Sequence, residues 1–181
     1  WMNRADALTR LGGAENLDAA MTSYDEAIAV LNAMNLDASP LFRRRFAMAW
    51  QNRGLTAARH ARLTDTARSF AAALAALSVE AADAIDDRNV ILAVAWTNRA
   101  RVHAAADEAV HARRSAHTAL SLVRDREHTE ALAAEAGLTA RHVLCQALAR
   151  AIEGHDGSAP PDALADATDA VDDGMALARH W

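Results

Sequence analysis

The sequence predicts an all-α fold, an α-solenoid of about four antiparallel helical hairpins, or about eight helices. Three observations predict it. Hydrophobic residues make up 52% of the chain while aromatics make up only 4%, so much of the apolar content is alanine, the strongest helix former. Only 7 Gly and 3 Pro interrupt the 181 residues, which leaves few breaks and little material for a sheet. A short motif also recurs at long intervals, and a second matched segment follows each copy.

The motif is W-x-N-R-[AG]. It stands at Trp1-Met2-Asn3-Arg4-Ala5, at Trp50-Gln51-Asn52-Arg53-Gly54 and at Trp96-Thr97-Asn98-Arg99-Ala100, and fades into Ala133-Ala134-Glu135-Ala136-Gly137. The first residues of these copies lie 49, 46 and 37 positions apart. Trp50 to Phe70 is 20 residues, and so is Trp96 to Ala116; Trp1 to Tyr24 is 23, with the extra residues fitting the Gly12-Gly13 turn. Each unit therefore reads as helix, turn, helix.

The units run over about 1–36, 40–86, 88–126 and 129–181, in one continuous domain. In the first, Leu17, Ala20, Met21, Tyr24, Ala27, Ile28 and Leu31 share one helical stripe. In the second, Ser39-Pro40 opens a helix, Thr64-Asp65 opens its partner, and Ala67, Phe70, Leu74, Leu77 and Ile85 form the stripe. In the third, Asp87 or Asn89 caps the first helix and Asp107-Glu108 the second. Ala109, Ala112, Ala116, Ala119, Leu120 and Val123 face inward there. In the fourth, Thr129 starts the first helix. A loop spans residues 154–161, and a last helix from Asp162 carries Leu164, Ala167, Val171, Met175 and Ala178 with no following repeat to cover them. The Trp and Gly/Ala members of the motif serve packing, the small residue letting helices approach.

These residues resemble the tetratricopeptide repeat. That family places an aromatic or Ala, then Asn, then Gly or Ala on the first helix of each hairpin, and an aromatic, Ala and an aliphatic on the second. The resemblance covers residues 1 to about 126 and weakens beyond. It implies a right-handed superhelix whose first helices line a concave face. The period exceeds the family's roughly 34 residues, so the hairpins are lengthened.

Charge and motifs exclude several functions. The net charge is −5, so a nucleic-acid partner is not expected. All basic residues are Arg, which a GC-rich coding sequence explains. Arg43-Arg44-Arg45 reads as a solvated face. No apolar run approaches the ~20 residues of a membrane span, so no membrane partner is expected. The expected location is cytoplasmic, and the start at Trp1 rather than Met leaves a periplasmic one open. Cys145, the single cysteine, reads as a small buried hydrophobe. No phosphate-binding Gly loop or nucleophile elbow is present. The expectation is a non-enzyme without cofactor or metal. Glu108 and His111 form one E-x-x-H, but a di-iron bundle needs two such pairs and further carboxylates.

The resemblance points to the groove. Its candidates are Gln51, Asn52, Leu55 and Arg59 in the second unit, then Thr97, Asn98 and Arg101 in the third. Leu138, Arg141 and His142 follow in the fourth, with Asp6 and Arg10 in the matching slots of the first. Asn52 and Asn98 can both donate to and accept from a peptide backbone; Arg59, Arg101 and Arg141 offer forked donors to a carboxylate. The slots that some family members use to clamp a peptide's terminal carboxylate hold Met2, Met48, Gln51, Val94 and Thr97, so that clamp is not matched. The expected function is an adaptor or scaffold that binds a peptide or protein segment. The alternatives are a homo-oligomerisation module, the sensory, ligand-binding part of a larger regulator and, last, a metal-binding helical bundle enzyme using Glu108 and His111.

Overall fold

A computed structural model describes residues 1–79, 87–153 and 161–181. Among the described residues the chain forms eight α-helices and one short 3-10 turn. These are α1 (Met2–Leu11), α2 (Ala14–Asn32), the 3-10 turn (Leu36–Ala38), α3 (Pro40–Arg59), α4 (Leu63–Leu77), α5 (Arg88–Ala105), α6 (Ala109–Val123), α7 (Ala131–Glu153) and α8 (Pro161–His180). The all-α expectation holds, with α1 to α4 packed in succession in one part of the chain and α6 to α8 in the other. Ile85 and most of the expected loop at 154–161 lie outside the described residues. Among those described, no helix is long and apolar enough to cross a membrane. Contacts group the chain into two compact units, Trp1–Arg88 and Asn89–Trp181.

In the first unit, α1 and α2 form a hairpin around Ala5, Ala20 and Tyr24, all buried. Gly12 and Gly13 make the turn at φ 68° and 79°, a left-handed backbone that costs a side-chain-bearing residue strain. Of the expected α2 stripe, Leu17 through Ile28 are buried and Leu31 is half-buried. Next, α3 begins at Pro40 as expected. Ser39 caps it through its backbone: its carbonyl accepts from the amides of Phe42 and Arg43 at 3.0 and 3.3 Å, and its side chain makes no cap bond.

The α3–α4 hairpin explains the 20-residue spacing. A Cβ on Gly54 would lie 2.8 Å from Phe70 Cε1, so the aromatic of one helix sits directly on the small residue of the other. Phe70, Leu74 and Leu77 are buried, whereas Ala67 is exposed. The α4 start differs from the Thr64-Asp65 expectation, since the helix already begins at Leu63. The reason is the turn. Ala61 adopts φ 54°, the Arg62 amide donates to the Ala57 carbonyl at 3.0 Å and the Ala61 amide to that of Ala58 at 3.0 Å. These two bonds are those of a Schellman motif, and backbone rather than side chain closes the helix.

The Arg43-Arg44-Arg45 run is not a solvated face. Arg43 is 7% exposed, pairs with Asp37 of the 3-10 turn and donates to the Ala76 carbonyl. Arg44 forks onto Asp87 at 3.0 and 2.6 Å, a bond that raises its already high pKa. Arg45 alone is exposed.

The second unit centres on one apolar cluster from α5, α6, α7 and α8, including Ala100, Ala116, Val123, Leu144 and Ala170. Here Ala100 and Ala116, which match Gly54 and Phe70 in the second unit, are both fully buried. All of the expected α6 stripe is buried except Ala109, which is half-buried. Asp107 closes the α5–α6 turn at φ 58°, with Glu108 N donating to His103 O at 2.9 Å and Asp107 N to Ala104 O at 3.3 Å. This is the same Schellman pattern as at Ala61, so Asp107 serves here by tolerating the left-handed conformation rather than as an N-cap. The next helix, α7, starts at Ala131, two residues past Thr129. For α8 the packed face is Ala163, Ala170 and Leu177, while Leu164, Val171 and Met175 are 59, 47 and 55% exposed.

The motif's Arg has a defined place. The guanidinium of Arg53 lies 5.7 Å from the ring centroid of Trp50, and that of Arg99 lies 5.1 Å from Trp96. Both are cation–π contacts at the i, i+3 spacing that helix geometry provides. Arg53 also binds Asp25 at 2.6 Å and Ser69 at 2.9 Å, tying α3 to α2 and α4. Trp50 and Trp96 are half-buried, and Trp1 is exposed.

Candidate functional site

Several candidates from the first helices meet in the first unit. Asp6, Thr9 and Arg10 of α1, Tyr24 of α2, and Asn52, Leu55 and Arg59 of α3 line one open cavity of about 270 Å3. Asp6 and Thr9 are three apart and Asp6 and Arg10 four apart, so α1 turns all of them to one side. Asn52, Leu55 and Arg59 follow the same rule on α3. The two helices run parallel, since the contacts Asp6–Asn52, Thr9–Thr56 and Thr9–Arg59 advance together along both.

The α1–α3 seam is polar. Tyr24 donates its hydroxyl to Asp6 Oδ1 at 2.5 Å, and Asn52 Nδ2 donates to the same oxygen at 3.3 Å. The hydroxyls of Thr9 and Thr56 lie 3.1 Å apart, and each also donates to a carbonyl one turn back. Arg59 reaches across to the Thr9 carbonyl at 2.7 Å. Tyr24 is 1% exposed; burial first, and then the bond to Asp6, push its hydroxyl pKa well above the usual range. It therefore acts as a fixed proton donor that holds Asp6 in place. Asp6 Oδ2, Asn52 Oδ1 and the Arg10 guanidinium have no hydrogen-bond or ion-pair partner among the described residues, and all three residues line the cavity.

The remaining candidates fare differently. Gln51 and Asn98 are buried, at 8 and 6% exposure, which withdraws them from an open groove surface. Arg101 and His142 are exposed on α5 and α7. Arg141 is no free fork: it is 6% exposed and binds Glu127 through both terminal nitrogens at 2.6 and 3.0 Å, with Asp173 at 3.9 Å. Glu127 is itself 2% exposed. Arg141 thus supports the second unit's interior, where burying either charge without the other is costly. The pair depends on Gly137, whose absent Cβ would fall 1.6 Å from Glu127 Oε1.

Glu108 of the E-x-x-H pairs with His103 Nδ1 at 2.6 Å, and His103 stacks on His111. Among the described residues no group of three or more His, Cys, Asp or Glu is placed to hold a metal. Cys145 is half-buried against the second unit's core, and burial pushes its thiol pKa up, away from nucleophilic chemistry.

Thr9 and Tyr24 were not among the sequence candidates. Tyr24 reads as an ordinary core aromatic. The signal for it was available, since a buried tyrosine hydroxyl requires a partner and Asp6 lies one hairpin away.

Comparison of the chain with protein-family models, with curated proteins and with solved structures finds no match.

Proposed function

We propose that this chain is an interaction module, an adaptor or scaffold that holds a peptide or protein segment along α1 and α3 of the first unit. The observation that carries the reading is the cavity itself, where five groove positions expected from the repeat register (Asp6, Arg10, Asn52, Leu55 and Arg59) converge. An extended peptide presents alternating N–H donors and C=O acceptors. The unpaired acceptors Asp6 Oδ2 and Asn52 Oδ1 match the former, and Arg10 and Arg59 match the latter. Leu55 supplies an apolar contact beside them.

The test is selection of peptides from a random displayed library by the full chain, followed by the variant Arg10→Ala/Asn52→Ala/Arg59→Ala. Loss of the selected peptides by a folded triple variant is expected. Equal binding by that variant would falsify the groove assignment. An Arg101→Ala/His142→Ala variant, altered outside the cavity, is expected to bind normally.

One observation favours a second reading, self-association. Leu164, Val171 and Met175 recur at positions that share one side of α8 and are about half exposed. Light scattering on the chain and on Val171→Asp decides it: a monomer at high concentration, unchanged by the substitution, removes this reading.

A further inference from the structure

The α1–α3 cavity carries more charge than a neutral peptide unit uses. One wall holds a carboxylate, Asp6, whose Oδ1 is taken by Tyr24 and Asn52 while its Oδ2 has no hydrogen-bond partner among the described residues. The other charged members are two guanidinium groups, Arg10 and Arg59, and only one nitrogen of Arg59 is committed, to the Thr9 carbonyl. Both α1 and α3 end beside the cavity, at Leu11 and Arg59. Arg10 and Arg59 stand in the last turns of those helices, where the partial negative charge of a helix C-terminus favours their guanidinium groups. So the cavity holds an acceptor region suited to an ammonium and a donor region suited to an anion.

Size and lining narrow the ligand. The volume of about 270 Å3 lies just below the range of roughly 300–1,000 Å3 that holds drug-sized molecules. Among the described residues, Tyr24 is the only aromatic in the lining, and it is buried, so it offers no open face for stacking a nucleobase. A phosphate would bring no cation for the Asp6 carboxylate and would find none of the helix N-terminal amides that favour it. We infer that the cavity takes a free α-amino acid, its ammonium on Asp6 Oδ2 and Asn52 Oδ1, its carboxylate on Arg10 and Arg59, and its side chain beside Leu55. This rests on the reading that the cavity is the ligand site, and it adds a small-molecule input to a binding module.

The experiment is calorimetric titration of the full chain with each standard L-amino acid, and with the N-acetyl and the amide derivative of any that binds. Saturable binding of at least one free amino acid is expected. Blocking either end weakens it by roughly tenfold or more, the worth of one charge-assisted hydrogen bond. In Asp6→Asn, which keeps an acceptor for Tyr24, the preference for the free amine over the N-acetyl form disappears. In Arg59→Ala the preference for the free acid over the amide falls. Circular dichroism verifies that both variants are folded. Equal binding of free and blocked forms overturns the amino-acid assignment and leaves the peptide reading standing. Absence of binding by any amino acid overturns it too, and the peptide selection above then decides the groove reading separately. Binding that both substitutions leave untouched refutes this cavity as the site.

Discussion

Gly137→Ala is the substitution whose outcome the geometry constrains most. On a helix such as α7 the change is ordinarily favourable, since Ala exceeds Gly by about 1 kcal/mol in helix propensity. Here the new Cβ falls 1.6 Å from Glu127 Oε1, 2.6 Å from its Cδ and 3.0 Å from Arg141 Nη1. The carboxylate must move, and it is nearly fully buried and bonded to Arg141. Breaking a buried ion pair costs about 3–5 kcal/mol, so the net loss is about 2–4 kcal/mol, a large part of the roughly 5–15 kcal/mol by which a domain is stable. The assay is urea unfolding followed by far-UV circular dichroism, reading the shift of midpoint at constant slope. Amide exchange along residues 131–150 assigns the loss to α7. Two other glycines calibrate it. At Gly174 the nearest atom is Arg141 Cδ at 3.4 Å, an ordinary contact, so Gly174→Ala gains up to about 1 kcal/mol. At Gly54 the new Cβ meets the Phe70 ring at 2.8–3.0 Å, and the substitution is destabilising by about 1–3 kcal/mol through overpacking. A Gly137→Ala chain as stable as the parent, or more so, refutes the reasoning.

Three further outcomes follow from the same contacts. Ala61→Gly relieves a left-handed alanine at φ 54° and raises stability by about 1 kcal/mol, measured by the denaturation midpoint; destabilisation contradicts the Schellman assignment. Tyr24 is the chain's single tyrosine, so absorbance titration of tyrosinate reads it alone. Its pKa is raised in the fold, so its contribution to stability is complete below the unfolded value of about 10 and is lost as pH rises beyond it; tyrosinate absorbance then appears together with unfolding. In Tyr24→Phe that alkaline loss is smaller, and the buried side of Asp6 loses a donor, costing about 1–3 kcal/mol at neutral pH.

The hairpins were legible because packing repeats locally. The 20 residues from Trp50 to Phe70 foretold that a small residue on one helix would meet a large one on the next, and Gly54 under Phe70 is that contact. The cavity was partly legible too, since the resemblance to a known repeat named Asp6, Arg10, Asn52, Leu55 and Arg59 as candidates on matching faces. Partners far apart in sequence were not. Arg44 finds Asp87 across 43 residues and Arg141 finds Glu127 across 14, and no periodicity encodes either. The helix start at Leu63 also escaped, because a cap residue was sought where backbone geometry decides. On α8 the composition allowed two apolar faces, and Leu177 rather than Met175 is the one that packs.

Ala61 and Asp107 share a backbone conformation but no side-chain chemistry. The angle at which a second helix leaves the first is therefore written in main-chain hydrogen bonds, a script that leaves little trace in residue identity. Two chains could drift until their letters no longer align and still fold back on themselves at the same inclination. Kinship among hairpins of this kind is better sought in the order of torsion angles at their bends than in the residues that occupy them.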